Sequence, residues 1–201
     1  ESDNQNYLLN KGYFMLFYGK IKNIGIISTR LHGTDGVTLE TEKWAEILNE
    51  MGYELYYFAG LSDRSPDRTM VDKRAYLYTP EIEKIQGKCF GTFVRDRTVT
   101  EKIQQISKRL KKSLYRFQKH FHIDMIIVEN ALSIPMNIPF GIALTEFIAE
   151  TGIPAVGHHH DLYWERQRFM VNCVNDYIKM AFPPSLPSMR HVVINSQALK
   201  D

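Results

Sequence analysis

Apolar residues come along this chain in short runs separated by longer amphipathic stretches, the signature of strands alternating with helices. "KNIGIIST" (22–29) is one such run. After "RLHGTDGV", residues Val37, Trp44, Leu48 and Met51 recur at helical spacing, and "YELYYFAG" (53–60) is again rich in strand formers. A strand, a helix and a strand joined in this way form a parallel pair with a right-handed crossover. Thr34 or Asp35 can cap the helix, and Gly52 stands where a left-handed residue would end it.

The stretch 61–97 is the least patterned. There "LSDRSPDRT" reads as a loop and "RAYLYTPEI" as the place of a short strand. From Thr98 to His120 the apolar positions Ile103, Ile106, Leu110, Leu114 and Phe117 recur every three or four residues, which predicts an amphipathic helix. Strand and helix then alternate through "DMIIVEN" (124–130), "TEFIAETG" (145–152), "IPAVGHH" (153–159), "YWERQRFMVNCVNDYIKMAF" (163–182) and "HVVINS" (191–196), with a further helix beginning in "QALKD". The alternation predicts an α/β fold: a Rossmann-like open parallel sheet with helices on both faces. No repeat of about 20 to 50 residues points to a solenoid.

Composition narrows the picture. With 201 residues, 44% of them hydrophobic, the chain can bury one substantial core, assigned here to residues 22–201. Residues 1–21 read as a tail or leader: "NYLLNKGYFMLFYGK" is apolar and aromatic, but Asn10, Lys11 and Gly12 interrupt it and the order of a secretory signal is missing. The chain opens on Glu1 rather than Met, as a piece of a longer protein would. Lys and Arg number 25 against 23 Asp and Glu, a balance that favours neither nucleic acid nor a strongly acidic partner. Cys89 and Cys173 have no metal-ligand or disulfide-framework spacing, so a cytoplasmic setting is expected. No run reaches the roughly 18 to 20 apolar residues of a membrane span.

In an open α/β sheet, ligands bind beyond the carboxyl ends of the strands, which draws attention to "RLHGTDGV", "ENALSIPMNIPFG" and "HHHDLYWER". Gly33 and Gly36 would let backbone approach a ligand, and the helix starting near Val37 is expected to offer free N–H groups to a diphosphate. The spacing is neither G-x-G-x-x-G nor a Walker loop, and a plain glycine turn into a helix would look the same. "YYFAG" ends in Ala59 and Gly60 rather than an acid, which weakens a nicotinamide-dependent reading. Glu129 and Asn130 end a strand where a carboxylate and an amide could hold sugar hydroxyls; a solvated strand end is the plainer alternative.

The three adjacent histidines alternate across a strand, so they cannot all hold one ion and no metal is expected. His158 and His160 share a face, and one can reach the ligand crevice. Asp161 suits the N-cap of the next helix, accepting the N–H of Trp164. Phe169, Met170, Cys173, Val174, Tyr177 and Ile178 form that helix's expected buried stripe, with Arg166 and Arg168 outside it and able to bind an anion or to remain solvated. On the 98–120 helix, Lys102, Lys108, Arg109, Lys111, Lys112, Arg116 and Lys119 face only Glu101. Such a face suits peripheral contact with anionic lipid or the steering of a phosphorylated acceptor, and equally an ordinary solvated surface. No nucleic-acid-binding motif accompanies the charge.

Taken together, "NIGIISTRLHGTDGVTLETEKWAEILNEMGYEL", "IIVENALSIPMNIPFGIALTEFIAETGIPAVGHHHDLYWERQRF" and "HVVINSQALKD" resemble the amino-terminal half of retaining nucleotide-sugar glycosyltransferases of the GT-B fold, the family 4 group. The resemblance implies an acceptor-binding domain facing a second, donor-binding domain across a cleft. It places Gly33, Thr34 and Gly36 near the donor diphosphate and His160 against the transferring sugar. Glu129 and Asn130, with Asp161 and Arg166 beside them, become sugar or acceptor contacts. It also implies catalysis without a metal or other cofactor. Nothing in the sequence matches the second domain, so the expected activity belongs to a longer protein and this chain alone should transfer sugar poorly. The alternative from another class is a non-enzymatic Rossmann-like module that recruits a catalytic partner or holds an acceptor at a membrane.

Overall fold

The structure is a computed structural model in which residues 21–194 are described. The expected leader therefore lies outside the described residues except for Ile21, and so does the helix expected after the last strand. Among the described residues, six strands and five α-helices follow in the order β1 (Asn23–Ser28), α1 (Gly36–Glu50), β2 (Glu54–Ala59), β3 (Thr69–Val71), α2 (Pro80–Cys89), α3 (Arg97–Phe121), β4 (Met125–Glu129), α4 (Ile138–Thr151), β5 (Ala155–His159), α5 (Asn175–Ala181) and β6 (Met189–Val193). The strands lie in the order β3-β2-β1-β4-β5-β6, and every pairing is parallel. This is the doubly wound arrangement: the chain moves outward in one direction from β1 and in the other from β4, leaving a crevice between their carboxyl ends.

Helices cover both faces. Ile24, Ile26, Leu55 and Ile127 pack with Ala45 of α1 on one side. On the other, Ile27, Phe58, Ile126 and Val128 meet the apolar stripes of α2, α3, α4 and α5. The α3 stripe comes out as its spacing predicts, with Ile103, Ile106, Leu110, Leu114 and Phe117 all buried. Asp96 caps its start through Thr98, and His122 closes its end in a left-handed conformation. Asp35 caps α1, and Gly52 follows with φ 88°.

Three segments depart from the pattern. The short strand near Thr69 precedes the place expected for it, and "TPEIEKIQGKC" forms α2 with Thr79 as N-cap and Pro80 in the first turn. Ile82, Ile85 and Cys89 are its buried face, a helical spacing that so short a stretch hides behind its charges. Helix α4 starts at Ile138, well before the expected 145, because Asn137 caps it by accepting the N–H of Phe140.

The long helix expected over 163–182 is two 3-10 turns, Tyr163–Glu165 and Gln167–Phe169, followed by the short α5. Asn172 interrupts it: its side chain accepts the N–H of Val174 and donates to the carbonyl of Phe169, while the neighbouring backbone pairs with residues 89–91 at the end of α2. Of the expected stripe, Phe169, Val174 and Ile178 are buried, Cys173 and Tyr177 partly so, and Met170 is exposed. Asp161 accordingly caps no α-helix.

Phe117 lies directly over Gly25, where a Cβ would stand 2.7 Å from its ring, and meets Phe58 edge-on. Cutting Phe117 back to Ala should therefore leave a cavity against β1 and cost about 3–5 kcal/mol, to be read from the shift of the urea denaturation midpoint; a loss below about 1 kcal/mol would show that the α3–sheet interface is not packed this way.

Candidate functional site

The crevice takes its chemistry from the ends of β4 and β5. Parallel register sets Glu129 opposite Ser28 on one side and His158 on the other. Because side chains alternate along a strand, Glu129, His158 and His160 fall on the α1 face and His159 on the opposite one. The Nδ1–H of His158 donates to Oε2 of Glu129 at 2.8 Å, and Nε2 of His160 stands 3.6 Å from the same oxygen. The two imidazoles meet edge-on at 4.9 Å, and Trp44 of α1 covers His158 at the same centroid distance.

Glu129 is only 1% exposed. Burial alone would raise its pKa, but the hydrogen bond from His158 and the charges of His158 and His160 prevail and hold it below the usual carboxylate range. The result is an ionised carboxylate inside the protein, with two polar atoms, Oε1 of Glu129 and Nε2 of His160, buried and without a hydrogen-bond partner. Such atoms are costly until a ligand, water or ion bonds with them.

Asn130 ties the surrounding loops together. Its φ of 55° is a left-handed conformation that Asn tolerates better than most side chains, and its N–H donates to the carbonyl of His158. Its side-chain oxygen accepts the N–H of His160 at 3.1 Å, and its amide nitrogen donates to Asp161 at 3.3 Å. Arg166 in turn pairs with Asp161. Five expected site residues, Glu129, Asn130, His160, Asp161 and Arg166, thus form one connected set.

The glycine loop after β1 is arranged differently from what its sequence suggests. Gly33 adopts φ 77° and gives its N–H to Asp63, a carboxylate from the loop after β2 that sequence reasoning did not single out. Asp35 accepts the N–H groups of Val37 and Thr38 and pairs with Arg30 at 2.8 Å. Its carboxyl titrates below the usual range: burial opposes this, but the Thr38 bonds and Arg30 outweigh it. The two amides expected to be free for a diphosphate are therefore already engaged, by a residue of the same charge sign as the proposed ligand. Thr34 and Gly36 remain exposed at the loop surface.

No family model matches the chain. It is similar to the mannosylglucosylglycerate synthase of Petrotoga mobilis, 35% identical over 185 residues, and to that of Thermotoga maritima, 29% identical over 183 residues. In each case the similarity takes in 89% of this chain and 41% of the relative. The chain spans about two fifths of the length of the curated relatives it matches.

Among the described residues, Glu129, His158 and His160 are also the group able to hold a metal ion, their donor atoms lying within 4.8 Å of one another. His159 takes no part. It belongs to a separate chain of hydrogen bonds on the other face: Ser133 Oγ lies 2.5 Å from its Nδ1, its Nε2 lies 2.7 Å from Nδ1 of His191, and Nε2 of His191 reaches the carbonyl of Pro184 at 3.0 Å. A carbonyl only accepts, so neutral His191 carries its proton on Nε2, His159 donates to it, and the Ser133 hydroxyl donates to His159.

Burial, with the charges of His191 and His158, lowers the pKa of His159 from 6.5 to about 3. Below pH 6.5 the unfolded chain then binds a proton that the folded chain refuses. Its contribution to stability is complete above pH 6.5 and is lost as pH falls toward 3, at up to about 1.4 kcal/mol per pH unit. Urea denaturation between pH 7.5 and 4.5 should show that slope in the wild type and a shallower one in His159→Gln. Equal slopes would mean that His159 is not held neutral.

Proposed function

We propose that this chain is the acceptor-side Rossmann-like half of a retaining glycosyltransferase that moves a sugar from a nucleotide-sugar donor to an acceptor hydroxyl. Most of the donor site would lie in a second domain outside these residues. The observation that carries this reading is the pair of unpartnered atoms on Glu129 and His160. A sugar hydroxyl both donates and accepts, so one hydroxyl can donate to Oε1 of Glu129 and accept from an Nε2–H of His160. The site stands at the carboxyl edge of the doubly wound sheet, where such folds bind ligands. The two mannosylglucosylglycerate synthases support the reaction class. By analogy with their names, the proposed acceptor is a small hydroxyl-rich glycoside of the glycerate type.

In this reading the acceptor oxygen forms a bond to the anomeric carbon on the side from which the diphosphate oxygen departs. The hydroxyl proton passes to the leaving phosphate, and the anomeric configuration is kept. The chain contributes position and a fixed electrostatic environment rather than a covalent group. His160 holds the transferring sugar, and Glu129 fixes the hydroxyl facing it. Asn130 positions both through its bonds to the His160 backbone and to Asp161, with Arg166 behind the latter. Gly33, Thr34 and Gly36 border the place of the diphosphate. No metal enters the reaction as proposed.

Replacing His160 by Ala in the full-length protein should lower kcat roughly a hundredfold while leaving the melting temperature close to wild type, since its imidazole lacks a short hydrogen bond in the structure. Turnover measured with nucleotide-sugars and a glycerate-type glycoside decides the matter; unchanged turnover would remove His160 from the site, and full turnover by the 201-residue chain alone would refute the need for a second domain.

A further inference from the structure

The basic stripe of α3 lies on the opposite face of the sheet from Glu129 and His160, and the fold sorts its charges into two groups. One group is neutralised. Lys111 donates to Glu146 and Glu150 of α4, both at 2.6 Å, Lys102 pairs with Glu81 of α2, and Arg97 pairs with Glu101. The other group converges on a concave surface: Arg109, Lys112 and Arg116 succeed one another along one side of α3, and Arg74 reaches over from the 3-10 turn Lys73–Ala75. With Tyr115 they line a groove of about 500 Å³.

Two of these cations are held in place by the protein itself. Ser113, 1% exposed, has an Oγ that accepts from Arg116 at 2.8 Å and from Arg74 at 3.4 Å, so both guanidinium groups are anchored on a single atom. Arg74 is clamped further by Asp72, through contacts of 2.8 and 2.6 Å. That carboxylate stays ionised: burial would raise its pKa, yet the bonds from Arg74 and Ser113 prevail and lower it. Among the described residues, Asp72 is the acid bonded to these four cations, while Glu150 accepts from the groove-lining Tyr115 at 2.8 Å. Arg109 and Lys112 have no acidic partner among the described residues, while the nearby Glu81, Glu146 and Glu150 are taken by Lys102 and Lys111. The Nε–Nη2 fork of Arg74 is taken by Asp72, and the charges of Arg109, Lys112 and Arg116, gathered along one concavity with Arg116 held on Ser113, match an oxyanion with several acceptor oxygens.

We propose that this groove binds a phosphate group. Arg116, held by Ser113, supplies oriented N–H donors, Arg74 closes the groove with its charge balanced by Asp72, and Arg109 and Lys112 supply unneutralised charge at its rim. A soluble phosphorylated molecule and a phospholipid headgroup present the same chemistry, and both are tested below. The proposal does not rest on sugar transfer and involves none of the residues assigned to it.

Calorimetric titration of the chain with inorganic diphosphate at low chloride, and co-sedimentation with phosphatidylcholine vesicles with or without phosphatidylglycerol, separate the two sources. The double variant Arg109→Gln with Lys112→Gln removes charge without breaking any bond in the structure, so its melting temperature should match wild type. Its affinity for diphosphate, for the anionic vesicles or for both should fall about tenfold or more. Lys108→Gln, on the same helix but outside the groove, should bind as wild type does. Diphosphate binding alone identifies a soluble ligand, and binding to anionic vesicles alone identifies a headgroup. The proposal is overturned if wild type binds neither probe, if the double variant binds as wild type does, or if Lys108→Gln loses as much as the double variant.

Discussion

Parallel pairing of β4 with β5 places a carboxylate and an imidazole side by side within the sheet, and most of what is distinctive about this protein follows from that contact. Glu129 and His158 are partners in register, both almost fully buried, and their 2.8 Å hydrogen bond spans the two strands. A buried carboxylate without such a bond would be forced toward its neutral form or would destabilise the fold. Because His158 bonds one oxygen, Oε2, and Nε2 of His160 stands 3.6 Å from that same atom, the other oxygen, Oε1, is left without a partner. The compensation of one buried charge thus also prepares the two unsatisfied atoms that mark the site.

The same strand serves two purposes because its side chains alternate. His158 and His160 turn to the α1 face and join Glu129, whereas His159 turns to the opposite face and is locked between Ser133 and His191. That second chain of bonds links β5 to the edge strand β6 and keeps an ionisable ring neutral in the interior. Three consecutive histidines therefore have distinct environments, and none can be exchanged for another by a small shift. A one-residue slip would bring His159 to the site and expel both its neighbours.

Electrostatics is arranged with similar economy elsewhere. Asp35 satisfies the start of α1 and is itself balanced by Arg30, so the helix end nearest the crevice presents less positive character than an uncapped one. On the other face, α4 supplies the acids that neutralise Lys111, and the groove along Arg109, Lys112 and Arg116 keeps its charge. Net charge near balance conceals this contrast: the protein is neutral on average and strongly polarised locally.

The sequence by itself determined the α/β class, the long amphipathic α3, the strands other than β3 and the candidate positions Glu129, Asn130 and His160, because hydrophobic period and strand alternation are local properties of the chain. It also indicated that His158 and His160 share a face. It did not disclose α2, whose stripe of Ile82, Ile85 and Cys89 is short and crowded by charge, nor the break at Asn172, where a side chain and pairing with residues 89–91 overrule a helical pattern. The roles of Asp63 at Gly33, of Trp44 over His158 and of Ser113 between two arginines were equally hidden. Each joins residues far apart in the chain, and only the strand order β3-β2-β1-β4-β5-β6 with its helices decides which of them meet. A side chain's chemistry is written at its own position, but its charge state and its partners are set by what the fold packs against it.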